Sequence, residues 1–486
     1  MRQPAPTRLP PVYPNNSLTE LSSSQFASQA VHQLNAPADI WDRIRRGFAM
    51  PDLDNDLVRG REQWYTSRPD YVQRMTARGS KYLFHIVEEL ELRNMPTELA
   101  LLPFIESAYN PQAVSSARAA GMWQFMPATG KDFALKQNMF RDDRRDVLAS
   151  TRAALTYLQR LYGMFGDWHL ALAAYNWGEG SVGRAIGKNK RAGLGTSYTE
   201  LTMPMETQFY VPKLQAVKNI VANPERFGAT LPNIENHPYF QSVDIKRDID
   251  VSVAAKLAGV PIEDFRALNP SASKPVLLAA GTPQILLPWD NAAMFQANLE
   301  AYTGGPLASW TAWIVPTTLK PADAAKRVGM TEDELRTINH IPTRMLIKAG
   351  STLVVRRAGA LDTDVSSHIA DNGYLALAPD QVLRRTVVKA RKKDSVVALA
   401  KRYRVSPSSV ADWNNIGVSA TFKVGQSVVL MLPVKAKRSA KAPSRRTPSA
   451  SNFKASKGKS SVAAKGETKS KATATKSRKT AQPKRK

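Results

Sequence analysis

Beyond Pro238 the chain repeats itself. The run from Ala254-Ala255-Lys256 to Leu268-Asn269 aligns without gaps on that from Ala324-Ala325-Lys326 to Ile338-Asn339, a shift of 70. A further shift of 75 brings Asn339 onto Asn414 and lays Leu399-Ala400-Lys401 on the Ala-Ala-Lys. Eleven or twelve residues after each Asn stands a glycine, Gly281, Gly350 or Gly425. Each glycine leads into an apolar strand, Ile285-Leu286-Leu287, Leu353-Val354-Val355 or Val428-Val429-Leu430, and a strand-like piece such as Trp313-Ile314-Val315 or Val387-Val388 precedes each unit. The unit reads strand, helix, helix, strand, three times over. A chain of 486 residues has room for two to four domains and more than one core.

The first half has another texture. From about Asp39 to Phe227 helical periodicity dominates, punctuated by Pro51, Pro69, Pro96, Pro103 and Pro127. Val147 to Phe165 sets Leu148, Leu155, Leu158, Leu161, Tyr162 and Phe165 on one stripe, the spacing of an amphipathic helix. Residues 1–37 read as a Pro/Ser-rich linker. Met1 to Pro14 has no apolar run of secretory-signal length. Either the protein stays inside the cell, or its signal lies upstream of the residues given. No apolar run approaches the roughly 18 residues of a membrane span. With no cysteine in the sequence, disulfides, thiol catalysis and thiolate metal sites are ruled out. Of the net charge of +27, residues 434–486 supply +17, from 18 Lys or Arg against Glu467. That stretch has Phe453 as its one aromatic and reads as a disordered basic tail that any acidic polymer or anionic lipid attracts. It lacks the interleaved aromatics of a base-stacking segment, so no specific nucleic-acid partner is expected.

Metal and cofactor constellations fail on inspection. The six histidines are scattered without an i, i+4 pair. Gly178-Glu179-Gly180-Ser181-Val182-Gly183 fits G-x-G-x-x-G, but a dinucleotide site needs a strand before it. Here Trp168 to Tyr175 is Leu/Ala-rich and helical, so the glycines are expected to shape a turn between helices. The informative stretch is Leu101-Leu102-Pro103-Phe104-Ile105-Glu106-Ser107-Ala108-Tyr109-Asn110-Pro111. A carboxyl among apolar neighbours is desolvated, its pKa rises, and the neutral acid can protonate a leaving oxygen. Gly121-Met122-Trp123-Gln124-Phe125-Met126-Pro127 and Ala173-Ala174-Tyr175-Asn176-Trp177-Gly178 join aromatics to amides and hydroxyls, the mixture of a sugar groove. No Asp or Glu stands between Glu106 and Asp132. Most glycosidases use two carboxylates; the gap suits a single acid, although a distant one is free to fold in.

Taken with Glu206-Thr207-Gln208-Phe209-Tyr210-Val211-Pro212-Lys213, these ordered clusters resemble the lytic transglycosylases of glycoside hydrolase family 23. Asp39-Ile40-Trp41-Asp42-Arg43-Ile44-Arg45-Arg46-Gly47-Phe48 looks like the membrane-bound lytic murein transglycosylase D type, in which LysM repeats follow the catalytic domain. The resemblance implies an α+β multidomain chain. A mainly α-helical lysozyme-like catalytic domain would occupy 38–230 (core about 95–215), with small βααβ LysM-like repeats at 240–290, 310–357 and 384–433. It implies Glu106 as the catalytic acid and then base. Ser107, Met122, Gln124, Phe125, Tyr175, Asn176 and Tyr210 would bind substrate or orient the acid, with Tyr210 hydrogen-bonded to the Glu106 carboxyl. No metal or cofactor is implied. The implied partner is the peptidoglycan glycan strand, with the tail drawn to acidic envelope polymers or anionic lipid. The implied location is the cell envelope, in the periplasm and associated with the outer membrane. The family's lipid-attachment cysteine and signal are not among these residues, the first repeat is degenerate, and the third has Arg391-Lys392-Lys393-Asp394 where a Gly-Asp is usual. A wall-binding protein with a dead catalytic domain is the nearest rival, and the retention of Glu106 with all four clusters argues against it.

Overall fold

The computed structural model describes residues 37–380, 383–392 and 394–433; residues 1–36 of the expected linker and the basic tail at 434–486 lie outside them. The chain divides into two compact units, Met1–Gln381 and Val382–Lys486. The helical domain and the first two repeats, separate domains in the sequence reading, therefore share one unit. The cause is a common apolar cluster in which Phe140 meets Val276 and Leu278 of the first repeat and Val354 and Ala370 from the second repeat onward. Polar ties reinforce it: the Tyr82 hydroxyl donates to Ala267 O (2.8 Å), and Lys136 pairs with Asp371 (2.6 Å).

The helical domain consists of α1 (Ile40–Arg46), α2 (Asp56–Thr66), α3 (Pro69–Gly79), α4 (Leu83–Glu91), α5 (Leu102–Ser107), α6 (Pro127–Asp132), α7 (Val147–Phe165), α8 (Trp168–Trp177), α9 (Glu179–Arg191), α10 (Met205–Gln208) and α11 (Tyr210–Ala222). α8 buries Leu170, Ala171, Leu172, Ala173 and Ala174 in succession, as a helix enclosed on all sides does, and packs against α7, α9 and α11. α7 has the limits its periodicity predicts. The Asp146 carboxylate caps it by accepting from Ala149 N (2.8 Å), and Gly166 at φ +65° ends it. Leu155, Leu158 and Leu161 are buried, but Tyr162 is 39% exposed. It departs from the expected stripe because its ring stacks outside on Trp168, 4.3 Å between centroids. Of the G-x-G-x-x-G run, Gly178 at φ +88° turns α8 into α9, while Gly180 and Gly183 lie inside α9. The expected turn thus uses only the first glycine.

Each repeat is a βααβ unit whose outer strands pair antiparallel. In the first, β1 (Phe240–Asp244), β2 (Ile249–Asp250), α12 (Val251–Leu257), α13 (Ile262–Leu268), β3 (Val276–Leu277) and β4 (Gln284–Pro288) are followed by α14 (Trp289–Glu300), and β1 pairs with β4, Phe240 opposite Pro288. In the second, β5 (Trp310–Ile314), α15 (Pro321–Arg327), α16 (Glu332–Asn339), β6 (Met345–Ile347) and β7 (Thr352–Arg356) are followed by α17 (Ser367–Asn372) and β8 (Leu377–Pro379), and β5 pairs with β7. In the third, β9 (Leu383–Lys389), α18 (Val396–Tyr403), α19 (Pro407–Asn414) and β10 (Ser427–Pro433) surround a core of their own.

The repeated asparagine has one role in all three copies. Asn339 Nδ2 donates to Leu335 O (3.0 Å) and Val354 O (2.9 Å), and its Oδ1 accepts from Val354 N (2.7 Å). Asn269 makes the same three bonds with Phe265 and Leu286, and Asn414 with Val410 and Val429. Asn therefore ties the last turn of the second helix to the closing strand. The glycines are not equivalent. Gly350 (φ +79°) and Gly425 (φ +84°) occupy the left-handed region, whereas Gly281 does not and instead lies against Ala370. In the third repeat Asp394 keeps its place without a preceding glycine, accepting from Arg391 N (2.8 Å) and pairing with Arg402.

Candidate active site

Glu106 is the penultimate residue of α5, a six-residue helix with Pro103 in its first turn and Leu102, Pro103 and Phe104 buried. The chain then turns through Ala108 (φ +50°) and Tyr109 (φ +56°), two successive non-glycine residues in the left-handed region, each at an expense of about 1 kcal/mol or more. Ala108 N bonds Phe104 O and Tyr109 N bonds Pro103 O, which stops the helix directly after Glu106-Ser107. Tyr210, the first residue of α11 and 3% exposed, donates its hydroxyl to Glu106 Oε1. Burial pushes the Glu106 pKa up to about 7; the Tyr210 hydrogen bond and the Lys213 ammonium pull it down, and Glu206 raises it. Protein crowds the carboxyl although the residue as a whole is half-buried, so desolvation prevails while an opening to solvent remains. Glu206, exposed on α10, is the acid whose charge bears on Glu106 among the described residues.

The remaining expected residues divide. Tyr175 lies within electrostatic reach of Glu106, and burial first, then Glu106, raises its own pKa; its hydroxyl donates to Trp123 O (2.8 Å). Ser107 Oγ donates to Met122 O (3.0 Å), tying the end of α5 to the following loop. Asn176 Oδ1 accepts from Thr207 Oγ1 (2.8 Å), which joins α8 to α10. Gln124 stands at φ +49° and turns its Nε2 onto Gly121 O (2.8 Å). Met122 and Phe125, also expected to contact substrate, face inward. Their side chains are 0% and 2% exposed within the core, and it is their carbonyls that make polar contacts, to Ser107 and to Arg144.

Several supporting residues were not singled out in the sequence. Glu98 is fully buried on the turn before α5. It accepts from Ala49 N (2.8 Å) and Met50 N (2.7 Å) and pairs with Lys218 of α11 (3.1 Å). It thereby clamps the segment carrying Glu106 to the helix carrying Tyr210. Arg144 braces the loop holding Gln124 by donating to Arg118 O (2.7 Å) and Phe125 O (3.1 Å). Its own carbonyl would lie 2.0 Å from a Cβ at residue 121, so glycine is required there, at φ +83°. The nearest sequence signals were the apolar setting of Glu98 and the Gly-Met-Trp run itself. Among the described residues no group of three or more His, Asp or Glu side chains could hold a metal ion, and no helix is long and apolar enough to cross a membrane.

Comparison with known proteins matches residues 85–194 to the transglycosylase SLT domain, 239–304 to the LysM-like domain of lytic transglycosylase MltD, and 325–356 and 388–430 to the LysM domain. The membrane-bound lytic murein transglycosylase D of two Escherichia coli strains is 33% identical over 391 residues, covering 78% of this chain and 82% of theirs. A putative tributyltin chloride resistance protein of an Alteromonas species is 50% identical over 118 residues, 24% of this chain and 57% of that one. Among solved structures, the lytic transglycosylase Slt of Pseudomonas aeruginosa aligns at a TM-score of 0.22 and 21% identity, over 30% of this chain and 24% of that one. With a catalytic-domain match followed by LysM matches in the order the fold displays, and with a third of positions shared over most of both chains, this protein belongs to the membrane-bound lytic murein transglycosylase D family.

Proposed function

We propose that the chain is a peptidoglycan lytic transglycosylase, cutting the β-1,4 bond between N-acetylmuramic acid and N-acetylglucosamine and leaving 1,6-anhydro-N-acetylmuramic acid ends. Glu106 protonates the glycosidic oxygen, and the departing bond leaves positive charge at the anomeric carbon, which the 2-acetamido group helps to stabilise. The Glu106 carboxylate then takes the proton of the C6 hydroxyl, whose oxygen closes the anhydro ring. No water is consumed, so the reaction is a lyase reaction. A group that gives and retakes one proton works best with a pKa near the operating pH. The observation that carries this assignment is the Glu106 carboxyl, held by the Tyr210 hydroxyl in a setting whose burial brings it to about 7. Tyr210 and Lys213 stabilise the carboxylate stage. Ser107, Gln124, Tyr175 and Asn176 shape the junctions around the acid. The LysM-like repeats bind the glycan, and the protein acts in the cell envelope, on the periplasmic side, with the basic tail adding attraction to acidic envelope polymers or anionic lipid.

Mass spectrometry of a peptidoglycan digest tests this. Wild type is expected to yield anhydro ends; reducing ends would make it a hydrolase. Full-length Glu106→Gln is expected to pellet with insoluble peptidoglycan while releasing nothing.

A further inference from the structure

A cavity of about 920 Å³ lies in the first compact unit, away from Glu106 itself. Its walls come from the α3–α4 corner, the loop Tyr109–Gln112 and the ends of α13 and α16. Arg78, Lys81, Arg266 and Lys274 line it, against Glu263 as the one acid of the lining. Lys81 is matched by Asp264 at 2.5 Å. Lys274 is not matched. It is half-buried, its Nζ donates to Ile338 O (2.8 Å), it pairs with no acid among the described residues, and burial lowers its pKa. A half-buried ammonium held by one carbonyl is electrostatically incomplete, and an incoming carboxylate completes it. Arg78 and Arg266 stand exposed at the mouth.

We propose that this cavity is a subsite for the carboxylate-bearing peptide carried by the glycan strand, formed jointly by the catalytic domain and the first two repeats. The substrate class rests on the transglycosylase reading above. The volume suits a ligand of several residues rather than a lone anion. Ala77, Pro275 and Ile338 supply apolar wall for a peptide backbone. Asn110 on its wall is four residues past Glu106, so their Cα atoms lie within about 14 Å. A side branch on a sugar held at Glu106 is therefore within reach of the cavity.

Isothermal titration of the full chain with the free stem tetrapeptide of peptidoglycan tests the assignment. Saturable binding is expected, weakened about tenfold or more by Lys274→Met, by the double variant Arg78→Gln/Arg266→Gln, and by amidating the peptide carboxyls. The double variant keeps the test decisive if Lys274→Met perturbs the Ile338 contact. Absence of tetrapeptide binding, or binding indifferent to both variants, overturns the proposal, as does displacement of the peptide by an uncharged N-acetylglucosamine tetramer. Anhydro ends without peptide binding would sink this inference alone, whereas reducing ends would sink the transglycosylase reading.

Discussion

Glu98 and Glu106 stand eight positions apart on the same buried stretch, and the protein treats them in opposite ways. Glu98 is enclosed and fully answered: two backbone N–H groups and the Lys218 ammonium meet its oxygens. Glu106 is desolvated but answered by the single Tyr210 hydroxyl, with Lys213 acting from a distance. A buried carboxylate that is paired and hydrogen-bonded is structural. One left short of partners holds its proton to higher pH and is chemically available. Burial alone therefore does not mark the reactive acid; the shortage of partners does.

The contrast breaks most sharply with glutamine at each position. Glu106→Gln is expected to lower the cleavage rate by about 10²–10⁴-fold, measured as release of soluble muropeptides, with the fold intact. Glu98→Gln is expected to cost about 3 kcal/mol of stability in denaturant unfolding, because Lys218 and two N–H groups lose their carboxylate, while turnover per folded molecule persists. If Glu98→Gln abolished turnover without loss of stability, the two roles would have been assigned the wrong way round.

A smaller effect sharpens the comparison through pH. The folded pKa of Glu106, about 7, stands above its ordinary 4.5, so the folded state holds more protons than the unfolded one between those values. Stability is therefore lost as pH rises from about 4.5 to 7 through this group. Glu106→Gln removes that loss: its melting temperature should exceed wild type at pH 8, by the equivalent of about 1–3 kcal/mol, and match it at pH 4. Equal melting temperatures at pH 8 would mean that Glu106 is not strained by its site. The mildest variant is Tyr210→Phe. The Tyr210 hydrogen bond lowers the Glu106 pKa, so its removal should move the alkaline limb of the kcat/KM profile upward and cut the rate at pH 6 about tenfold. A limb that moves down would contradict the hydrogen-bond assignment.

What was legible in the sequence follows the same line between local and distant causes. The limits of α7 were readable because its cap, its stop and its stripe are contiguous, and Tyr162 escaped because its partner Trp168 lies beyond that helix. The repeats were readable because Asn269, Asn339 and Asn414 each bond within 17 residues of themselves. The desolvated setting of Glu106 was readable from the apolar run before it. Glu98 was not, since its partners lie about fifty residues before it and 120 after. The inward packing of Met122 and Phe125 was not legible, because a loop has no period to tell its inner from its outer face. The packing of two repeats onto the helical domain left no trace, because Phe140 meets residues more than 130 positions away.

The most direct test is the titration of Glu106 itself, read as the protonated-carboxyl band in the infrared difference between wild type and Glu106→Gln across pH. The account predicts a single carboxyl titrating with a midpoint near 7. A midpoint near 4 would show an ordinary solvated carboxylate and would contradict the proton-shuttling role.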